Sequence, residues 1–403
     1  MKIGIVSNLY PPDARGGAEL VAQRVADALY ERGHKVFVLT TQPYDGLRSL
    51  FARVRERTLE VVYRFFPLNV YYLKNDERIP FSVRVLWHLI DLWSPWSRAA
   101  IRHVIKNESP DVIITHNLKG IGVGIALEIQ QRGVPHIHTL HDVQLSVPSG
   151  LLIAGEEASF LNRSFLRRWY EAAVKRQIGI PDLVLSPSKF LVDFYRERGM
   201  FTDVRVEVLA NPLPPENRPE LPKTRPQMNT KFLFVGQLEP HKGVSLLLAS
   251  LDQLGEDVEL HFAGEGSLAE CVSDRAQRDI RVTYHGFVSL NNLVKLLEHI
   301  DAVVLPSICY ENSPTVIYEA FLIGVPVIAS RIGGIPELVE DGVSGLLVAP
   351  GNTEELVAAM HRIHNERDVW WKRKTAIREN AQQYSLETYV TRLETFMRQI
   401  VEK

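Results

Sequence analysis

From Lys2 to Val348 the chain repeats one scheme, a short β-branched run followed by an amphipathic helical run. Parallel strands need a crossover of a dozen or more residues, so this alternation specifies parallel sheets with helices on both faces. In the first half the strands read Lys2 to Ser7, Lys35 to Thr40, Asp111 to Thr115, Pro135 to Leu140, Leu183 to Ser186 and Arg205 to Leu209. In the second half they read Lys231 to Val235, Val258 to Phe262, Arg281 to Tyr284, Ala302 to Leu305, Pro326 to Ala329 and Gly345 to Val348. The first helix is the clearest: Ala18, Val21, Ala22, Val25 and Leu29 recur at three- and four-residue steps, and Gly33 closes it.

The scheme breaks once. Residues 211 to 230 hold six prolines and no aromatic residue, the composition of a linker. At 403 residues the chain exceeds one compact core. The expected division is a Rossmann-like domain at 1–210, the linker at 211–230, a second Rossmann-like domain at 231–384, and a C-terminal helix at 385–403 that packs back on the first domain. The fold class is α/β, two doubly wound domains facing a central cleft. Open sheets of this kind bind ligands beyond the carboxyl ends of their strands, so functional residues belong just after strands.

Net charge is -2, but residues 1–205 carry 27 Lys and Arg against 21 Asp and Glu, and the remainder 19 against 27. A basic first half suits an anionic partner, a phosphate-bearing substrate or a membrane surface, while the acidic second half argues against nucleic acid. The N-terminus turns polar too soon for a signal peptide, and no apolar stretch reaches the ~18 residues of a spanning helix, so the expected location is cytoplasmic. Cys271 and Cys309 are too few for a disulfide framework and read as buried small hydrophobes.

Three loops carry chemistry. After the first strand, Gly16-Gly17-Ala18-Glu19 opens a helix, where glycine lets backbone amides approach a phosphate or a sugar hydroxyl. After the strand Lys231 to Val235 comes Gly236-Gln237-Leu238-Glu239-Pro240-His241-Lys242-Gly243, in which Lys242 is a point charge suited to a diphosphate. After Ala302 to Leu305, the spacing predicts a helix with Ser313 as N-cap and Pro314 first, its amides at Thr315 and Val316 free for an anion. Glu311 precedes that helix and Glu319 lies within it. Glu379/Glu387 and Glu394/Glu402 share the eight-residue spacing by chance, so context rather than spacing singles out Glu311/Glu319.

Together, Glu311 with Glu319, Gly236-Gln237-Leu238 with Lys242-Gly243, the Gly16-Gly17 loop, His141-Asp142 and Gly333-Gly334-Ile335-Pro336-Glu337 resemble glycosyltransferase family 4, retaining enzymes of the GT-B fold. The resemblance spans nearly the whole chain, strong from Lys231 to Pro350 and weak from Tyr44 to Ser109. It implies transfer of a sugar from a nucleotide diphosphate sugar to an acceptor hydroxyl, in cell-surface polysaccharide or glycolipid synthesis. By the same resemblance Glu319 holds the donor ribose, Glu311 contacts the transferred sugar, and Lys242 with the amides near Ser313, Thr315 and Val316 neutralises the diphosphate. It also places His141 near the reacting sugar, Gly16 and Gly17 near the diphosphate and acceptor, and Gly286, Phe287 and Val288 against the base. Gln237 stands where many members carry arginine, so one expected charge is missing. The expected partners are the nucleotide sugar and a saccharide or lipid-linked acceptor.

Two rivals stand beside this. Gly264-Glu265-Gly266-Ser267-Leu268-Ala269 matches a dinucleotide fingerprint, without a convincing acidic partner about 20 residues on. A non-catalytic saccharide- or membrane-binding protein on the same fold is the other. His116, His136, His138 and His141 invite a metal reading, but strand alternation separates His141 from the face of His136 and His138. No Asp-x-Asp pair occurs, so the expectation is no metal and no cofactor beyond the co-substrate. Residues 44–109 interleave aromatics such as Phe51, Phe65, Phe66, Tyr71, Tyr72, Trp87, Trp93 and Trp96 with arginines. They fit either a peripheral seat on the inner face of an anionic membrane or an aromatic core under a long insertion.

Overall fold

A computed structural model describes residues 1–13, 16–57, 61–73, 79–157, 164–214 and 229–402. Within them lie two compact units, one from 1–151, 158–212 and 386–403, the other from 152–157 and 213–385. Residues 152–157, expected in the first domain, belong to the second: Ile153 bridges Cys309, and Ala154 N donates to Ile308 O at 2.8 Å. Most of the proline-rich linker, 215–228, lies outside the described residues.

The first unit holds strands β1 (Lys2–Val6), β2 (Lys35–Thr41), β3 (Arg53–Arg57), β4 (Val61–Phe65), β5 (Val112–Thr115), β6 (His136–Thr139), β7 (Leu183–Ser186) and β8 (Val206–Val208), in the order β3-β4-β2-β1-β5-β6-β7-β8. Every pair is parallel except β3 with β4. The second holds β9 (Thr230–Val235), β10 (Val258–Ala263), β11 (Val282–Gly286), β12 (Ala302–Leu305), β13 (Val327–Ser330) and β14 (Gly345–Val348), all parallel, in the order β11-β10-β9-β12-β13-β14. Both are doubly wound, the second in the 3-2-1-4-5-6 order of dinucleotide-binding folds. Strand order reverses between β1 and β5 in one sheet and between β9 and β12 in the other, which fixes where loops diverge and leave a crevice.

All twelve expected strands are present; β3 and β4 are additional. They sit in the insertion, where arginines at alternate positions hide the strand pattern. Most of the insertion's aromatics are core: Phe66, Tyr71, Tyr72 and Trp87 pack with Leu9 and Leu73, and Trp87 Nε1 donates to Tyr71 O at 2.9 Å. Phe51 and Trp93 are instead exposed.

Gly17–Glu31 buries Val21, Ala22, Val25 and Leu29 against the first sheet. The same cluster takes in Tyr389, Val390, Leu393, Phe396, Met397 and Ile400 of the Leu386–Val401 helix. Each such aliphatic side chain contributes about 1.5–3 kcal/mol by leaving water. At the edge of this contact Arg32 and His34 both bond the Glu394 carboxylate, at 3.1 and 2.9 Å. Cys309 is buried, but Cys271 is exposed, contrary to expectation, because its helix Ala269–Arg278 buries only Val272.

Candidate active site

Lys242 and Glu311 stand on the loops that leave β9 and β12, the two sides of the switch point in the second sheet. Lys242 Nζ donates to Glu311 Oε1 at 2.6 Å, and Ser307 Oγ donates to the same oxygen at 3.0 Å. The side chains are only 24% and 16% exposed, so the contact is mostly shielded from water. Burial works to raise the Glu311 carboxyl, but the Lys242 charge and the hydrogen bonds from Lys242 and Ser307 outweigh it and hold the acid below its usual range. Burial likewise opposes the Lys242 ammonium, and the Glu311 carboxylate overcomes it, raising the amine. Cys309 Sγ lies 3.9 Å from Glu311 Oε1; burial and then that carboxylate push its thiol up to about 12, so it is an uncharged neighbour rather than a nucleophile.

Glycines make this geometry attainable. Gly243 sits at φ 76°, and a Cβ there would lie 2.0 Å from Pro306 O, so the Lys242 loop is pressed onto the Glu311 loop. Ile308 N donates to His241 O at 3.0 Å across the same seam. Gly333 sits at φ 61° with its absent Cβ 2.0 Å from Glu311 O, and Gly334 N donates to that oxygen at 2.8 Å. The Gly333-Gly334 pair therefore pins the Glu311 backbone.

The following helix runs from Thr315 to Leu322 with Pro314 as N-cap, one residue later than the sequence suggests. Ser313 Oγ engages Tyr318 Oη at 2.6 Å, which turns Ser313 toward the helix flank. Thr315 is half-buried and Val316 buried at the first turn, and Glu319 is buried one turn further in. Gln237 is exposed on the loop after β9, Gly286 ends β11 at φ 64°, Val288 is half-buried, and Phe287 is exposed.

The dinucleotide fingerprint has a different use. Gly264 and Gly266 take φ 145° and 157°, and their Cβ positions fall 1.8 Å from Gly236 O and 2.6 Å from Leu238 O. Leu238 N donates to Glu265 O, and Leu268 N to Leu238 O, both at 2.8 Å. These glycines let the loop after β10 pack under the loop that carries Lys242.

In the first unit His141 follows β6, and its Nε2 bonds His116 Nδ1 at 2.9 Å. Burial lowers His141 to about 4; burial, then His141 and His138, lower His116 well below the ordinary imidazole value, so the pair is neutral. His136 and His138 turn to Thr115 Oγ1, each at 2.8 Å. Among the described residues no group of three or more His, Cys, Asp or Glu is placed to hold a metal ion. Gly16 is the N-cap of the first helix, and its amide donates to Glu19 Oε2 at 2.9 Å, so the chain's own carboxylate occupies that amide; Gly17 begins the helix.

Sequence reasoning missed Ser307 as a partner of Glu311, and it missed Asp91. Burial raises Asp91 to about 7, against the Gly120 amide that donates to its Oδ2 at 2.8 Å. Neither carried a motif; a serine four residues before Glu311 is the one signal that pointed to the first.

The description "Glycosyltransferase Family 4" matches residues 15–217, half of the chain. The chain belongs to this family. A second description, "Glycosyl transferases group 1", matches residues 217–384 of the glycosyltransferase. A Klebsiella pneumoniae "Uncharacterized 42.6 kDa protein in cps region" is 27% identical over 84% of this glycosyltransferase and 87% of its own length. Glycogen synthase of Mycobacterium tuberculosis is 27% identical over 94% and 90%. Among solved structures, Anabaena HepE in complex with UDP superposes with TM-score 0.72 at 21% identity, covering 99% of this chain and 100% of that one. Sucrose-phosphate synthase from Thermosynechococcus elongatus gives 0.76 at 20%, covering 99% and 98%. Both show the same fold.

Proposed function

We propose that this glycosyltransferase moves a hexosyl group, with retention, from a nucleotide diphosphate sugar to a saccharide or lipid-linked acceptor hydroxyl. The observation that carries the reading is the Lys242–Glu311 pair, 2.6 Å apart at the switch point and directly before the helix Thr315–Leu322. A cation, the amides of Thr315 and Val316 and the helix dipole meet a diphosphate there without needing a bound metal. Further support comes from relatives: solved neighbours are complexes with UDP and with UDP-glucose, and a similar protein comes from a Klebsiella cps region, which favours cell-surface polysaccharide.

In the reaction the acceptor oxygen forms a bond to the anomeric carbon as the bond from that carbon to the donor phosphate oxygen breaks, on the same face. The acceptor proton passes to the departing phosphate, and Lys242 with the helix start stabilises the charge that develops. Glu311 holds hydroxyls of the transferred sugar and Glu319 those of the ribose, so the two-carboxylate scheme of retaining hydrolases is not used. The parts that the resemblance gives to His141, Gly16, Gly17 and Gly286 to Val288 belong to the same proposal.

Calorimetric titration with UDP, GDP and ADP, then with the nucleotide sugar matching the best of them, tests it. Glu319→Ala should weaken the free nucleotide and the donor alike. Glu311→Ala should bind the free nucleotide at least as well as the parent, because it releases Lys242, yet lose the donor's sugar contacts and slow transfer by about 10² or more. A Glu311→Ala protein that transfers at the parent rate refutes the assignment.

A further inference from the structure

Two helices of the first unit leave an apolar face uncovered. On Phe81–Trp93, Leu86, Leu89 and Trp93 are 51%, 37% and 45% exposed; on Phe165–Ile178, Phe165, Leu166 and Trp169 are 79%, 73% and 41% exposed. The helices pack together, and the Trp93 and Trp169 rings meet with centroids 5.7 Å apart, so the six side chains form one surface rather than two. Leu89 and Trp93 lie one helical turn apart, as do Phe165 and Trp169, which sets each row along one face of its helix. A contiguous patch of large apolar groups on a soluble chain marks an interaction surface.

The charges around it choose the partner. The exposed Lys, Arg, Asp and Glu side chains on the two helices are all positive: Arg168 and Arg176 lie beside the Phe165–Trp169 row, Lys175 donates to Gly199 O, and Arg84 lies on the far side of its helix from Leu89 and Trp93. Their two carboxylates face inward: Asp91 is 4% exposed and accepts the Gly120 amide, and Glu171 accepts from Ser146 Oγ and lies 3.3 Å from Arg167. Tryptophan, phenylalanine and leucine beside Arg168 and Arg176 match the boundary between headgroups and acyl chains, which demands no shape complementarity, and the cations match anionic headgroups.

We propose that this face docks the enzyme onto a bilayer surface carrying anionic lipid. It adds a surface partner to the proposed function, and it extends the membrane contact beyond the 44–109 insertion, most of whose aromatics are core: Leu86, Leu89 and Trp93 lie within the insertion, Phe165, Leu166 and Trp169 outside it. The site lets the enzyme meet an acceptor or product confined to two dimensions.

Co-sedimentation with phosphatidylcholine vesicles, with and without phosphatidylglycerol, tests the proposal without any transfer assay. The parent should bind only the anionic vesicles and be released as salt rises. Phe165→Ser/Trp169→Ser and Arg168→Glu/Arg176→Glu should each weaken binding at least about tenfold. UDP titrations of both variants should match the parent's, and Arg168→Glu/Arg176→Glu, whose side chains are exposed, should keep its thermal midpoint, which separates loss of docking from loss of fold or of donor binding; Phe165→Ser/Trp169→Ser gives up the Trp93 ring contact and should lower the midpoint only slightly. Parent protein that ignores anionic vesicles, or variants that bind at the parent level, would overturn the proposal. So would a parent dimer that Phe165→Ser/Trp169→Ser disperses, which would make the face an interface between copies.

Discussion

Lys242→Ala removes one half of a pair and leaves the other in place. Glu311 then keeps the Ser307 hydroxyl at 3.0 Å but loses the ammonium at 2.6 Å, in a site where the two side chains were 16% and 24% exposed. Breaking a fully buried pair costs about 3–5 kcal/mol; the residual exposure here lowers that to about 2–3 kcal/mol. For a unit of this size the midpoint of unfolding should fall by roughly 5–10 °C. The pH dependence fixes the cause. In the parent the Glu311 carboxyl lies below its ordinary 4.5, so its contribution is full above that value and is lost as pH falls through the folded one. The Lys242 amine is raised, so its contribution is full below its ordinary value and is lost as pH rises through the folded one. In Lys242→Ala burial acts on Glu311 without the ammonium and raises its carboxyl, so the native state binds the extra proton and the deficit should shrink on acidification. Adding Glu311→Gln removes the orphaned charge and should restore at least about half of the lost stability at pH 7, while diphosphate affinity, which the proposed function assigns to the cation, should stay low. Thermal unfolding of parent, single and double variants at several pH values, beside UDP titration, measures all of this. If Glu311→Gln recovers no stability in the Lys242→Ala background, the orphaned-charge reasoning is wrong.

Gly333→Ala places a Cβ 2.0 Å from Glu311 O at φ 61°, so it should lower stability by about 2 kcal/mol or more and reduce transfer with little change in nucleoside affinity; a fully active Gly333→Ala enzyme would show that the Glu311 backbone needs no such pin. Asp91→Asn keeps an oxygen for the Gly120 amide and removes a carboxyl raised to about 7, which binds a proton in the folded state that the unfolded state has released; the gain in midpoint over the parent should therefore grow from pH 5 to pH 8, and a constant difference would refute a buried titrating acid.

Much of the architecture follows from the sequence because its determinants are local. Alternating short strands and amphipathic helices demand parallel sheets, and strands such as Val112–Thr115 and Ala302–Leu305 are buried on both faces, so they read as plain apolar runs. The loops after β1, β9 and β12 are legible for the same reason: glycine, proline and N-cap residues punctuate the chain where a strand ends and a helix begins. Strands β3 and β4 escaped because Arg53, Arg55 and Arg64 interrupt the apolar pattern; Arg64 is nonetheless buried, its guanidinium spent on the Tyr10 and Pro11 carbonyls.

What the tertiary structure decided is partnership. Nothing local says that Lys242 and Glu311, 69 residues apart, share one hydrogen bond, or that Gly333 exists to let Glu311 approach. Nor does a strand-glycine-glycine signal say whether it cradles a phosphate or, as Gly264 and Gly266 do, seats a neighbouring loop. The tryptophans of residues 44–109 look alike in sequence, yet Trp87 is core and Trp93 meets Trp169 on an open face. Burial and pairing depend on which elements the crossovers bring side by side, and a pKa, an ion pair or an exposed patch exists only once they have met.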